Sequence, residues 1–182
     1  CGGYFVGLAG RVPSRRGDRF DLGNLKIAAE PVANDAREPV QYCLQQNHLK
    51  LGVLTGLGSI TPHVLQAFAQ CDALVLEFNH DPDMLMRGPY PRSIKNRVGG
   101  DFGHLANAQA RQFLDCADTT NLKFLFIAHL SQQNNRPELA DAMLAGWSDR
   151  EQCTIIHATQ DSGFGWFDVG SVNAVSEAAV SA

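Results

Sequence analysis

Two uninterrupted apolar runs, ALVLEF at residues 73–78 and FLFIA at residues 124–128, constrain the fold of this chain more than any other feature. An apolar run of this length is typical of a strand that is covered on both faces, as in a parallel sheet. Between the two runs, apolar residues recur at helical spacing over residues 106–117 and predict one amphipathic helix. The sequence therefore predicts a layered α/β fold (α+β in some schemes), in which helices cover a sheet.

Shorter β-prone runs flank this pair. They predict five further strands, at residues 25–32, 40–45, 49–55, 153–158 and 164–169. Residues 46–48 predict a hairpin turn, and Thr61 followed by Pro62 predicts a helix start with Thr61 as its N-cap. Residues 170–182 are small and polar and predict a disordered tail. We expect one domain, because no repeat or linker divides the 182 residues.

The charge and the apolar pattern exclude some classes of protein. A net charge of -4 gives no overall positive surface for nucleic acid, although a local basic patch remains compatible with it. No apolar run approaches the roughly 18 residues that a membrane span requires. We therefore expect no membrane partner.

The five cysteines form no CxxC pair, which argues against both a disulfide framework and a thiolate zinc site. Four of them lie in apolar periodic segments, so we expect Cys43, Cys71, Cys116 and Cys153 to be small buried hydrophobic residues. This pattern predicts a reducing, cytoplasmic location. A first residue of Cys1 rather than methionine suggests a processed product or a fragment.

Polar residues capable of chemistry follow the predicted strands. Asn34, Thr55 (followed by Gly56), Glu77 and His129 stand at or just after four strand ends, and His104 precedes the amphipathic helix. In layered α/β folds, sites are usually built where strands end and loops begin. Taken singly, each of these residues is more often structural than functional, so only the group of them indicates a site.

Six segments of the sequence, in order, resemble the YycJ/WalJ-like branch of the metallo-β-lactamase superfamily, whose broader relatives are the tRNase Z-type phosphodiesterases. They are VANDAREPVQY, LGVLTGLGSITPHVL, ALVLEFNHDPDMLMRGPYPRSIKNRVGG, FGHLANAQA, FLFIAHLSQQNNRPELA and DSGFGWFDV. The resemblance covers residues 20–169. It implies a four-layer αββα sandwich whose N-terminal part is missing, so that residues 1–169 form a partial domain. It also implies two divalent metal ions, zinc or manganese, at one edge of the sheets.

The resemblance places three of the family's metal-ligand positions in this chain. His129 matches the final histidine ligand, Asn34 stands where the family has a histidine, and Gly56 stands where it has a bridging aspartate. The HxHxDH motif is absent and is expected to precede Cys1. An amide oxygen is a poor zinc ligand and glycine offers no donor, so we expect metal binding to be impaired.

Other elements of the family's site are present. Glu77 and His80 resemble a pair in which a carboxylate orients an imidazole that protonates the leaving oxygen. His104 and Asn107, in GHLAN, match an element that binds the substrate phosphate, with Ala106 in place of the usual serine. Two basic residues, Arg92 and Lys95, are expected to contact the phosphate backbone.

The resemblance implies a metal-dependent hydrolase that cleaves phosphodiesters, DNA or RNA, through a metal-activated hydroxide. The alternative is a catalytically inactive remnant with a binding or scaffolding role, because two ligand positions are substituted. A serine or cysteine hydrolase is disfavoured, since the chain has no GxSxG motif and no cysteine at a plausible nucleophile position. We also expect self-association, as a homodimer, through an exposed face or edge of the sheet.

Overall fold

The computed structural model describes residues 16–161 and 163–170, together with the backbone of two short strands, β1 (Tyr4–Gly7) and β2 (Gly10–Pro13). These two strands pair with each other as a separate antiparallel hairpin. Cys1 and residues 171–182, which carry the predicted tail, lie outside the described residues.

Seven strands form the main sheet, and each strand neighbours the next one along the chain. They are β3 (Arg19–Leu22), β4 (Leu25–Pro31), β5 (Val40–Gln46), β6 (Leu49–Leu54), β7 (Ala73–Glu77), β8 (Phe124–Ala128) and β9 (Thr154–His157). The helices are α1 (Pro62–Ala67), α2 (Pro82–Arg87), α3 (Arg92–Val98), α4 (Asn107–Cys116) and α5 (Pro137–Leu144), and a 3₁₀ turn at Arg150–Gln152 precedes β9.

The direction of the strands brings four chain segments to one edge of the sheet. Strands β3 to β6 pair antiparallel, whereas β6 to β9 pair parallel. Because β4 and β6 are both antiparallel to β5, strands β4, β6, β7 and β8 all point the same way. Their carboxyl ends therefore meet at one edge, where the segments that carry Asn34, Gly56, Glu77 and His129 begin.

Most of the predicted elements are confirmed. The apolar runs form β7 and β8, the amphipathic pattern forms α4, and the hairpin turn is present with Asn47 at a positive φ of 55°. Thr61 caps α1 as predicted, since its side-chain oxygen accepts a hydrogen bond from the backbone N–H of Val64 at 3.2 Å. The strand predicted at residues 164–169 is wrong, because that segment has no strand pairing.

The core lies on the two faces of the sheet. The larger cluster fills the space between one face and helices α1, α4 and α5, and its fully buried members on those helices include Val64, Phe113 and Leu144. On the other face, Phe124 and Phe126 are buried beneath residues 164–169. The ring of Phe126 lies 4.4 Å from that of Phe164 and 5.3 Å from that of Phe167. Residues 164–169 thus cover the sheet through side chains rather than by pairing with it. Self-association through an exposed face or edge of the sheet stays a prediction.

The cysteine prediction is confirmed at three positions and wrong at one. Cys43, Cys71 and Cys153 are buried, and burial raises their thiol pKa values to about 12, 11 and 12. Cys116 is exposed at the end of α4. Within the described residues, no helix is long and apolar enough to cross a membrane.

We predict that Phe113→Ala lowers the free energy of unfolding by about 3–5 kcal/mol, because it removes a fully buried ring from the larger cluster and leaves a cavity. Urea denaturation followed by circular dichroism measures the change. Met143→Ala is the control, since that side chain on α5 is 38% exposed and should cost far less. Equal losses in the two variants would contradict the placement of Phe113 in the core.

Candidate functional site

One buried carboxylate, that of Glu77 at the end of β7, is the centre of the candidate site. Its side chain is fully buried, with 0% of its surface exposed. Oxygen Oε1 is hydrogen-bonded to Nδ1 of His104 at 2.8 Å and to Nδ1 of His129. Oxygen Oε2 accepts backbone N–H groups from Leu105 at 3.1 Å and from Leu57 at 3.5 Å. Four donors from three separate segments therefore converge on one carboxylate.

The two imidazoles reach Glu77 from different segments. His129 directly follows β8 and has a positive φ of 57°, which is uncommon for a residue other than glycine. The side-chain amide of Asn79 donates to the carbonyl oxygen of His129 at 3.0 Å and helps to hold this conformation. The rings of His104 and His129 lie 5.0 Å apart, edge to face. Both histidines are partly exposed, so their second ring nitrogens can face a ligand.

A tightly packed loop positions His104 in front of α4. Its backbone N–H donates to the carbonyl oxygen of Val98 at 2.9 Å. A Cβ atom at Gly103 would lie 2.2 Å from the carbonyl oxygen of Arg97, so only glycine fits there. Asp35 joins this loop to the segment that follows β4, because its backbone N–H bonds the carbonyl oxygen of Phe102 at 3.0 Å. The Asp35 carboxylate also accepts from Nε of Arg97 at 2.6 Å, and this bond lowers its pKa.

Electrostatics favour the charged forms of Glu77 and His129. Burial alone would raise the pKa of Glu77, but the hydrogen bonds from His104 and His129 outweigh burial and lower it. The hydrogen bond to Glu77 raises the pKa of His129, against the opposing effect of burial. The carboxylate is therefore ionised near neutral pH, and the Nδ1–H groups donate to it.

His80 does not form the pair with Glu77 that the sequence predicts. It is 3% exposed, and within the described residues its Nδ1 has no hydrogen-bond partner. Burial lowers its pKa, which favours the neutral ring. The hydrogen-bonded partners of Glu77 are His104 and His129 instead. The parallel register explains the difference, because Glu77 lies opposite Ala128 and next to the residue that follows it.

Of three further predicted residues, two have partners within the protein and one is exposed. Asn107 is 2% exposed and exchanges two amide hydrogen bonds with Asn135, at 2.9 and 2.8 Å, so its amide is used inside the protein. Lys95 donates from Nζ to the carbonyl oxygen of Met86 at 2.7 Å, and Arg92 is exposed on the same helix, α3. The predicted substrate contact of Asn107 is thus not supported by its surroundings, whereas Arg92 faces solvent.

The substituted ligand positions are not built to hold metal. The side-chain oxygen of Asn34 accepts the backbone N–H of Ala36 at 3.0 Å and closes a local turn. Gly56 has no donor, and a Cβ there would lie 3.2 Å from Nε2 of Gln41. The described residues therefore do not fit the two-metal centre that the resemblance implies.

Three side chains nevertheless form a group that could hold one metal ion. Glu77, His104 and His129 each bring a ligand atom within 4.8 Å of the others. Both Nδ1 atoms already bond Glu77, so a metal ion would either displace one of these hydrogen bonds or bind Nε2 of a histidine that the carboxylate orients. The sequence did not predict this sharing of one carboxylate by two histidines.

An open cavity of about 1090 Å³ lies away from Glu77, against the antiparallel part of the sheet. Glu30 is buried there and pairs with Arg19 at 3.1 Å and with His63 at 3.0 Å. None of the predicted site residues lines this cavity. Size alone therefore does not identify the candidate site.

No family model matches the chain, but two comparisons with known proteins find relatives. The sequence is 34% identical over 139 residues to the exodeoxyribonuclease YycJ of Bacillus anthracis, and the match covers 73% of this chain and 53% of that protein. It is 28% identical over 137 residues to the exodeoxyribonuclease WalJ of Streptococcus pneumoniae, and covers 51% of it. The chain thus spans about half the length of the curated relatives it matches.

Solved structures share the fold at low sequence identity. The metallo-β-lactamase fold protein YhfI of Bacillus subtilis superposes with a TM-score of 0.59 at 14% identity, over 86% of this chain and 55% of that one. Zinc-bound PqqB of Methylobacterium extorquens gives a TM-score of 0.54 at 16% identity, over 82% and 52% of the two chains.

We predict that Glu77→Gln destabilises the protein most between about pH 4.5 and 6.5. Because the pKa of His129 is raised, the stabilisation that its charged ring gives the fold is fully present below pH 6.5, the ordinary pKa of histidine. This stabilisation is lost as the pH rises through the folded-state pKa. Because the pKa of Glu77 is lowered, the stabilisation that its carboxylate gives the fold is fully present above pH 4.5, the ordinary pKa of glutamate. This stabilisation is lost as the pH falls through the folded-state pKa.

Urea denaturation at a series of pH values measures this difference in the free energy of unfolding. The exposed Glu38→Gln serves as the control and should show no such maximum. A difference between wild type and Glu77→Gln that stays constant with pH would contradict the paired charges.

Proposed function

Because the chain has the metallo-β-lactamase fold and its sequence is similar to the YycJ/WalJ exodeoxyribonucleases, we propose that it acts on the phosphodiester bonds of DNA or RNA. The observation that carries this proposal is the sharing of the buried Glu77 carboxylate by His104 and His129 at the carboxyl edge of the sheet. A carboxylate that orients two partly exposed imidazoles suits proton transfer to a leaving oxygen. A cytoplasmic location is part of the same proposal.

His104, rather than His80, is the proposed proton donor. Its Nδ1–H is held by Glu77, so its Nε2 is the atom that transfers a proton to the leaving oxygen. His80 is buried and its neutral form is favoured, which suits a structural role. His104 also lies three residues before α4, where the positive end of the helix dipole favours the negative charge of a phosphate. Arg92 would contact the phosphate backbone from α3, as the resemblance implies.

The family's two metal ions, zinc or manganese, would supply an activated hydroxide when bound. The described residues offer Nε2 of His129 toward them, but Asn34 and Gly56 offer no suitable donor. We therefore assign no step of the reaction to a metal in this chain. The lack of suitable metal ligands at Asn34 and Gly56 favours a second candidate function, in which the chain binds nucleic acid without cleaving it.

We predict that His104→Gln lowers cleavage of a single-stranded DNA oligonucleotide, assayed with Mn²⁺, by about 10²–10⁴-fold, the usual contribution of a general acid. Gel analysis of the products measures the rate. His48→Ala is the control, since that histidine is exposed in the turn between β5 and β6. Activity that survives His104→Gln would refute the assigned role. Binding without cleavage by the wild-type chain would favour the second candidate function.

We predict that Asn34→His combined with Gly56→Asp tightens zinc binding, because the two substitutions introduce an imidazole and a carboxylate at positions that have no suitable zinc ligand. Isothermal titration calorimetry measures the affinity. Asn24→His, which adds a histidine at an exposed turn, controls for nonspecific binding. If the unmodified chain already binds two zinc ions as tightly as the double variant, the assignment of these positions is wrong.

A further inference from the structure

A shallow cavity of about 320 Å³ opens beside His129, on the side where β8 gives way to α5. It is close to the lower limit of the roughly 300–1,000 Å³ that small-molecule sites occupy, which suits a group of the size of one nucleobase. Its lining consists of Asn79, Tyr90, His129, Leu130, Ser131, Gln132, Gln133 and Gln160. The cavity thus adjoins one of the two imidazoles that share Glu77.

The chemistry of this lining selects an uncharged polar ligand. Apart from His129, the described residues around the cavity include no ionisable group except the phenol of Tyr90, and three of them are glutamines. A phosphate needs cationic partners, so it has little reason to enter. Amide side chains donate and accept at once, as the edges of nucleobases do, and an aromatic ring stacks on the face of a base. A nucleobase meets both requirements.

The turn that carries two of the glutamines is held in place at both of its ends. The backbone N–H of Ser131 donates to the carbonyl oxygen of Asn79 at 2.9 Å, and the N–H of Asn134 donates to Oγ of Ser131 at 3.2 Å. The N–H of Asp81 then donates to the carbonyl oxygen of Asn134 at 2.9 Å. Gln132 and Gln133 lie exposed between these fixed points. Such preorganisation lowers the entropic cost of binding a ligand.

We propose that this cavity binds an unpaired nucleobase next to the phosphodiester at His104 and His129, with Tyr90 stacking on the base and Gln132, Gln133 and Gln160 contacting its edge. The inference rests on the proposed function and adds to it a subsite for one unpaired base beside the reacting phosphodiester. A paired base presents neither its face nor its Watson–Crick edge to such a cavity.

Fluorescence anisotropy with two labelled probes of equal length and charge tests this inference. One probe is oligo-deoxythymidine, and the other is the same backbone without bases. We expect Tyr90→Ala and Gln133→Leu to weaken binding of oligo-deoxythymidine roughly tenfold and to leave binding of the abasic probe unchanged. Tyr90→Phe should keep most of the affinity, because the ring remains.

Two matched variants serve as controls. Trp166→Ala removes an aromatic ring that is 93% exposed and does not line the cavity, and Gln46→Leu changes an exposed glutamine at the end of β5. Neither should change the affinity for either probe.

The outcomes separate this inference from the proposed function. If the wild-type chain binds both probes equally well, or if Tyr90→Ala weakens both to the same extent, the base-binding cavity is refuted while action on phosphodiesters stands. If the wild-type chain binds neither probe and cleaves no oligonucleotide, the proposed function fails. Loss for oligo-deoxythymidine alone supports the cavity.

Discussion

A carboxylate that stays ionised without contact with water must be compensated by the protein itself, and the arrangement around Glu77 follows from this requirement. Two imidazole N–H groups and two backbone N–H groups compensate it. They come from the segment after β6, from the loop before α4 and from the end of β8. Because all three must meet at one point, the carboxylate fixes the relative positions of the segments that form the site.

The sequence was sufficient to predict the layers of the fold. Continuous apolar runs identified β7 and β8, helical periodicity identified α4, and Thr61 marked the start of α1. The metallo-β-lactamase fold that the resemblance implied is confirmed. Residues 164–169 misled the prediction because they are rich in aromatic residues, which strands favour, yet they serve to cover Phe124 and Phe126 on the sheet.

The sequence was less informative about which side chains meet. The resemblance paired Glu77 with His80, but the parallel register of β7 and β8 puts Glu77 beside the start of the His129 segment. Asn107 matched a substrate-binding motif, but in the structure it is buried and hydrogen-bonded to Asn135. This contact depends on the packing of α4 against the loop after β8. Which side chains form hydrogen bonds with each other depends on distances between segments that are remote in sequence. Local sequence patterns do not contain these distances.

His104 and His129 draw on a single negative charge, and this makes them competitors. A positive charge that arrives at Nε2 of His129, whether a proton or a cation, makes its Nδ1–H more acidic and draws the Glu77 carboxylate toward it. The carboxylate then has less to offer His104. By reciprocity, a cation bound at Nε2 of His104 weakens the hold of His129 on its own cation to the same degree. The two rings therefore form an anticooperative pair, in which loading one side of the site releases the other.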